Sequence, residues 1–251
     1  MSGHSKWANI RLRKGAQDLK KGKLYGKLSK EIIIAAREGG GNADSNNRLR
    51  TAIQKARELG MPQDNIKRAV QRGTGEIAGA ALEEITYEGY GPAGVALLIQ
   101  TATENRNRTV SEIRAALSRH GGNLGAAGCV AYLFENKGII IVKRDQADED
   151  TIMELALEAG ALDVANEEDS YEITTEPGDV EKVKAALVAK GITPESAEAS
   201  MVPQTKVPLD GDEARKALKL MDILEDLEDV QEVFANFDIS EELLESIAAN
   251  S

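Results

Sequence analysis

Apolar and polar positions divide the chain into segments of different period. From Gly22 to Glu38, Leu24, Leu28, Ile32, Ala35 and Ala36 fall on one side of a helix turning 100° per residue. Lys20, Lys23, Lys27 and Lys30 form a stripe beside that face. Gly39-Gly40-Gly41 stops the helix, and Asp44 or Ser45 is placed to cap a second one with an apolar face of Leu49, Ala52, Ile53, Ala56 and Leu59. Gly60 ends it, and Pro62 opens a third helix that carries Ile66, Ala69 and Val70 and closes at Gly73 and Gly75. Three helices with short connections predict a small bundle, preceded by a polar, basic arm or frayed helix over residues 2–20.

The period then switches. Residues 84–90 and 95–101 read as strands around the hairpin-like Gly89-Tyr90-Gly91-Pro92-Ala93-Gly94. Residues 105–119 read as a helix burying Val110, Ile113, Ala116 and Leu117, followed by a glycine-rich loop (121–128) and a strand over 129–134. Next come strand 139–142, helix 149–159, strands 161–165 and 171–175, helix 180–189 and strand 196–202. That βαββαβ order is the ferredoxin-like arrangement. An acidic helix over 213–227, a strand-like 230–237 and a short last helix finish the chain. Residues 84–134 supply only ββαβ, and the segment after Pro208 supplies αβ. The economical reading is α+β: a three-helix domain (1–77) followed by two ferredoxin-like α/β domains, the first over 78–133 plus 206–251 and the second, the βαββαβ run over 134–205, inserted into it.

Charge sharpens this picture. The 251 residues carry a net charge of −11, yet Met1–Gly75 hold 17 lysines and arginines against six acids, a local +11. The remainder carries −22. A basic head on an acidic body points to a polyanionic partner, and the charge runs through all three helices, at Arg48, Arg50, Arg57, Lys67, Arg68 and Arg72 as well as the lysine stripe. Six acids cannot neutralise it, so these cations are expected to face outward. With His4, Lys6, Trp7, Arg11, Arg13 and Lys14 of the arm, and with Arg106 and Arg108 near the glycine-rich loop, they form the candidate nucleic-acid contact set. Trp7 is suited either to stacking on an unpaired base or to plugging the bundle.

Other chemistries find little support. A single cysteine, Cys129, excludes an intramolecular disulfide and fits a reducing compartment, and it is expected to be buried in its strand. No apolar run near the start is long enough for a signal peptide or a membrane span, so the expected setting is the cytoplasm, away from membranes. His4 and His120 are the only histidines and lie in different lobes, and no His/Cys/Asp set has metal-ligand spacing. No catalytic group, metal or cofactor is therefore expected. Gly121 to Gly128 follows a helix and precedes a strand, the reverse of a nucleotide loop, and reads as a structural turn. A weaker option keeps its N–H groups exposed for a phosphate. Asp222, Glu225, Asp226, Glu228 and Asp229 alternate with Leu220, Ile223, Leu224 and Leu227 and read as a solvated face, with Glu213 to Asp229 a surface for a protein partner.

Several motifs are specific. Gly3-His4-Ser5-Lys6-Trp7 with Ile10, Lys14, Asp18, Lys21, Tyr25, Lys27 and Lys30-Glu31-Ile32 resembles the opening of the YebC family. Met61 to Ile66, Tyr87 to Val95, Asn105 to Thr109, the 121–128 loop and Leu224 to Gln231 continue the match over essentially the whole chain. Tyr25 stands where phenylalanine is usual, Glu104 where aspartate is common and Cys129 where serine is typical. The resemblance implies a helical bundle followed by two α/β domains and a non-enzymatic, cytoplasmic role in gene expression. Members are described both as DNA-binding transcriptional regulators and as translation factors at the ribosome. The resemblance does not choose between them. Phosphate-type charge without a clear base-reading helix (the third helix offers Gln63, Asn65 and Gln71), with a glycine-rich loop beside arginines, makes rRNA, tRNA or the ribosome the expected partner and DNA the alternative.

Overall fold

The computed structural model describes residues 21–167 and 169–249. It begins with α1 (Lys21–Gly39), α2 (Asn47–Glu58) and α3 (Gln63–Gly73). The predicted apolar faces meet in one core around Leu28, Ile32, Ile34, Leu49, Ala56 and Ile66, except for Leu59, which caps the C-terminus of α2 and is exposed. The cap of α2 differs from expectation: Asn46, not Asp44 or Ser45, accepts the N–H of Leu49 at 3.0 Å. Its amide also donates to the carbonyls of Ala35 (2.7 Å) and Gly40 (2.8 Å), so one buried side chain joins the end of α1 to the start of α2. Where α3 ends against α1 there is room only for glycine. A Cβ on Gly73 would sit 2.5 Å from the Ile33 carbonyl oxygen and 2.7 Å from the Ala36 Cβ.

After an exposed connection come β1 (Glu83–Tyr90), β2 (Ala96–Thr103), α4 (Arg106–Arg119) and the short β3 (Asn123–Leu124). The chain continues through β4 (Phe134–Lys143), α5 (Glu149–Ala159), β5 (Asp163–Asn166), β6 (Ser170–Thr175), α6 (Val180–Ala189) and β7 (Ser196–Pro203). It closes with β8 (Val207–Pro208), α7 (Gly211–Glu225), β9 (Val230–Ala235), β10 (Phe237–Asp238) and α8 (Glu241–Ala249). One antiparallel sheet has the order β3-β1-β2-β9, a second β5-β6-β4-β7, and β10 and β8 form a small parallel pair. β9 returns from far along the chain to lie beside β2, with Leu97 opposite Ala235 and Ile99 opposite Val233. The second sheet takes the whole βαββαβ run, in the ferredoxin-like strand order. Fold class is therefore α+β: a helical region followed by antiparallel sheets covered by helices.

The first sheet buries Leu97, Ile99, Val230 and Val233 against Ile113 and Leu117 of α4 and Leu218, Met221 and Leu224 of α7. The second packs Ile140, Val142, Tyr171 and Ile173 on Ile152, Val183 and Leu187. The predicted strand over 129–134 does not form. Residues Ala131–Leu133 make a single 3-10 turn, Cys129 is half-buried ahead of it, and one long strand starts at Phe134 and includes the predicted 139–142. The physical reason is local: the Glu88 carboxylate takes the N–H groups of Val130 (2.7 Å) and Ala131 (2.8 Å), donors a strand would have used.

Candidate nucleic-acid interface

The lysine stripe of α1 is where structure and expectation part. Lys27 Nζ donates to the Glu225 carbonyl at 2.5 Å, Lys23 Nζ to that of Asp226 at 3.2 Å, and Lys30 Nζ to that of Glu228 at 3.0 Å. These acceptors lie at the C-terminal end of α7 and in the turn after it, where helix carbonyls lack intrahelical partners and the helix dipole is negative. Helix α7 has no basic residue in its own last turn. The neutralising charge comes from another lobe, on ammonium groups set three or four residues apart. Among the described members of the stripe, Lys27 and Lys30 are therefore half-buried against the chain's own body, and Lys23, though exposed, donates to it as well.

Asp229 anchors this closure. It is 1 % exposed and accepts from Lys30 Nζ at 2.7 Å, from Arg108 (2.7 and 2.9 Å) and from the hydroxyls of Thr109 (2.8 Å) and Thr103 (3.1 Å). Burial alone pushes its carboxyl up. The hydrogen bonds from Lys30, Arg108 and Thr109 outweigh that and hold it at about 2. Far from standing on a solvated acidic face, Asp229 is a buried carboxylate that joins α1, α4 and the turn before β9. α7 ends at Glu225, earlier than predicted, and the turn that follows swings Asp229 inward. The outer face of α7 is also less acidic than expected, since it exposes Arg215, Lys216 and Lys219 beside Asp212 and Glu213.

The glycine-rich loop is likewise filled from within. Glu88, 7 % exposed, accepts the N–H of Gly128 at 2.6 Å together with those of Val130 and Ala131. Burial works against its charge, and the three backbone donors prevail and lower its pKa. Of the loop's own N–H groups, that of Gly128 goes to this carboxylate, that of Gly125 to the Glu88 carbonyl at 2.8 Å and that of Gly122 to the Leu117 carbonyl at 2.9 Å, which supports the structural-turn reading.

The remaining candidates divide clearly. Arg48 is shared among Glu31 (2.9 Å), Glu38 (2.7 Å) and Glu84 (2.7 Å). Arg50 donates to Asn47 Oδ1 at 2.6 Å. Arg72 bonds Glu104 and the Ala80 carbonyl, and Arg106 is exposed at the start of α4. Among the described residues, Arg57 on α2 and Lys67 and Arg68 on α3 are exposed and enter no ion pair. His4, Lys6, Trp7, Arg11, Arg13, Lys14 and Lys20 lie outside the described residues. No group of acids, histidines and cysteines suited to a metal occurs among the described residues, and no described helix is long and apolar enough to cross a membrane.

The model of the TACO1/YebC N-terminal domain matches residues 5–76, and that of the TACO1/YebC second and third domain matches 82–237. The chain belongs to the TACO1/YebC family. Within it, a probable transcriptional regulatory protein of Dictyoglomus turgidum is 55% identical over 249 residues, covering 99% of this chain and all of that protein. One from Geobacter sulfurreducens is 53% identical over 247 residues, covering 98% of this chain and all of its own length. The crystal structure of a conserved hypothetical protein from Aquifex aeolicus superposes with a TM-score of 0.79 at 47% identity, covering 90% of this chain and 94% of that one. The boundary between the two TACO1/YebC models falls in the exposed connection after α3.

Proposed function

We propose that the protein is a non-enzymatic, nucleic-acid-binding regulator of gene expression that grips phosphate chains with its N-terminal helical lobe. The observation that carries this reading is the division of charge, +11 before Glu76 and −22 after it. Arg57, Lys67 and Arg68 remain exposed without ion pairs among the described residues, while the body would repel a polyanion. Contact of this kind neutralises phosphates without reading sequence. Helix α3 is short and exposes only Gln63 and Asn65 as base-reading candidates besides its cations, which favours RNA or the ribosome as the target. Relatives named as probable transcriptional regulatory proteins support the second reading, a DNA-binding regulator using the same lobe.

The test is a salt titration of oligonucleotide binding, followed by anisotropy, with Arg57, Lys67 and Arg68 replaced singly and together by alanine. The slope of log affinity against log salt should flatten by roughly one unit per lost phosphate contact. An unchanged slope removes these residues from the interface. Crosslinking and sequencing of the bound nucleic acid separates the two readings. Ribosomal or transfer RNA supports the first, and sequence-selective duplex binding at least ~10³-fold above nonspecific DNA supports the second.

A further inference from the structure

The seam between the helical lobe and the body is polar and directional. Lys23, Lys27 and Lys30 donate to the end of α7, Arg37 to the Leu82 carbonyl, Arg48 to Glu84, Lys55 to Glu198 and Arg72 to Glu104. In each pair the helical lobe supplies the cation and the body supplies a carbonyl or carboxylate. A phosphate oxygen is an acceptor of the same kind as all of these. Apolar anchorage is slight by comparison: Leu82 and Ala102 are the body residues that join the core of the helical lobe. The two lobes are joined by residues 74–81, which are exposed throughout, contain Gly75 and Gly79, and form neither helix nor strand. Such a tether allows rotation without breaking secondary structure.

We propose that the lysine row of α1 is a latch, closed on the end of α7 and on Asp229, which a nucleic-acid phosphate chain opens by taking the same ammonium groups. Binding of the polyanion and separation of the two lobes are then one coupled equilibrium, and the chain's own helix end is the competitor that sets its position. This rests on the nucleic-acid reading above and adds a consequence with a definite sign. A change that weakens the latch strengthens binding, because ligand no longer has to displace Asp229.

Spin labels on Asn65→Cys in α3 and Lys216→Cys in α7, in a Cys129→Ser background, report the separation of the lobes. The free protein should give one short distance, and a mixed-sequence RNA oligonucleotide should add a longer population. Asp229→Asn should give that longer population without RNA. It should also bind RNA at least ~3-fold more tightly than Glu228→Gln, which removes the same charge from an exposed neighbour. Should Asp229→Asn fail to melt cooperatively, Lys30→Gln must open the free protein in the same way. RNA that binds without lengthening the distance, or affinities that match between Asp229→Asn and Glu228→Gln, overturns the latch and leaves the nucleic-acid reading standing. Absence of any binding overturns both.

Discussion

Replacing Asp229 with asparagine tests how firmly the lobes are joined, and the structure sets the size of the effect. The carboxyl titrates at about 2 in the folded protein against an ordinary value of 3.8. A difference of that size corresponds to about 2.4 kcal/mol of folding free energy at neutral pH. Because the folded pKa is the lower one, the unfolded chain takes up the proton first. The contribution is complete above the ordinary carboxylate range and is lost as pH falls toward the folded value, with about two-thirds gone by about pH 2.5. Asparagine keeps the shape but leaves the Lys30 ammonium and the Arg108 guanidinium without a counter-charge, so the cost at neutral pH should reach ~3–5 kcal/mol. Urea denaturation followed by circular dichroism, at neutral pH and at about pH 2.5, measures both effects. Wild-type stability should converge on that of Asp229→Asn as the solution is acidified. Parallel curves, or a neutral-pH difference below ~1 kcal/mol, would refute the assignment of Asp229 as a buried, ionised anchor.

Three further changes have defined outcomes. Glu88→Gln removes the charge that gathers the N–H groups of Gly128, Val130 and Ala131. It should cost about 2–3 kcal/mol at neutral pH, and amide exchange over residues 123–131 should accelerate. Since burial opposes and the backbone donors lower the Glu88 pKa, the wild-type advantage should vanish as pH falls through the folded value. Gly73→Ala drives a methyl group into Ile33 and Ala36, so the helical lobe should lose about 1–3 kcal/mol in thermal melts; an unchanged melting temperature would mean that α3 and α1 do not touch there. Arg48→Met should cost less than ~1 kcal/mol, shrinking in high salt, because the carboxylates around Arg48 are substantially solvated.

The helices of the first lobe were legible because burial in a small bundle leaves a 3.6-residue period, and Leu28, Ile32, Leu49 and Ile66 carry it without interruption. The βαββαβ order was legible for a similar reason, since each strand and helix there is bounded by turn residues. What periodicity cannot convey is the partner of a polar stripe. Lys23, Lys27 and Lys30 look the same on paper whether they face water, phosphate or the end of another helix. Asp229 was hidden by extrapolation: a helix continued to Leu227 carries its acidic face with it, whereas a helix ending at Glu225 releases the next residues to turn inward. One signal did point there. Arg108 and Thr109 follow a strand that ends in Thr103, and a buried pair of hydroxyls beside an arginine calls for a carboxylate; the structure brings Asp229 to them from 120 residues away. Glu88 carried a comparable signal, an acid placed within an otherwise apolar and glycine-rich run.

The charge asymmetry therefore does two jobs that compete with each other. Part of the positive charge holds the helical lobe to the body through Lys23, Lys27, Lys30, Arg48 and Arg72, and part of it, at Arg57, Lys67 and Arg68, stays exposed. At physiological salt, screening acts over about 8 Å, so a phosphate chain senses the exposed cations chiefly on contact and the body's net charge mainly where it lies close. On the proposed reading, the exposed set makes the first contact and the latched set responds afterwards. Opening is then graded by how many helix-end carbonyls the phosphates replace. The Lys30–Asp229 ion pair resists longest, because its carboxylate is the most deeply buried side-chain acceptor in the seam, whereas the bonds of Asp229 to Arg108, Thr109 and Thr103 lie within the body and survive opening.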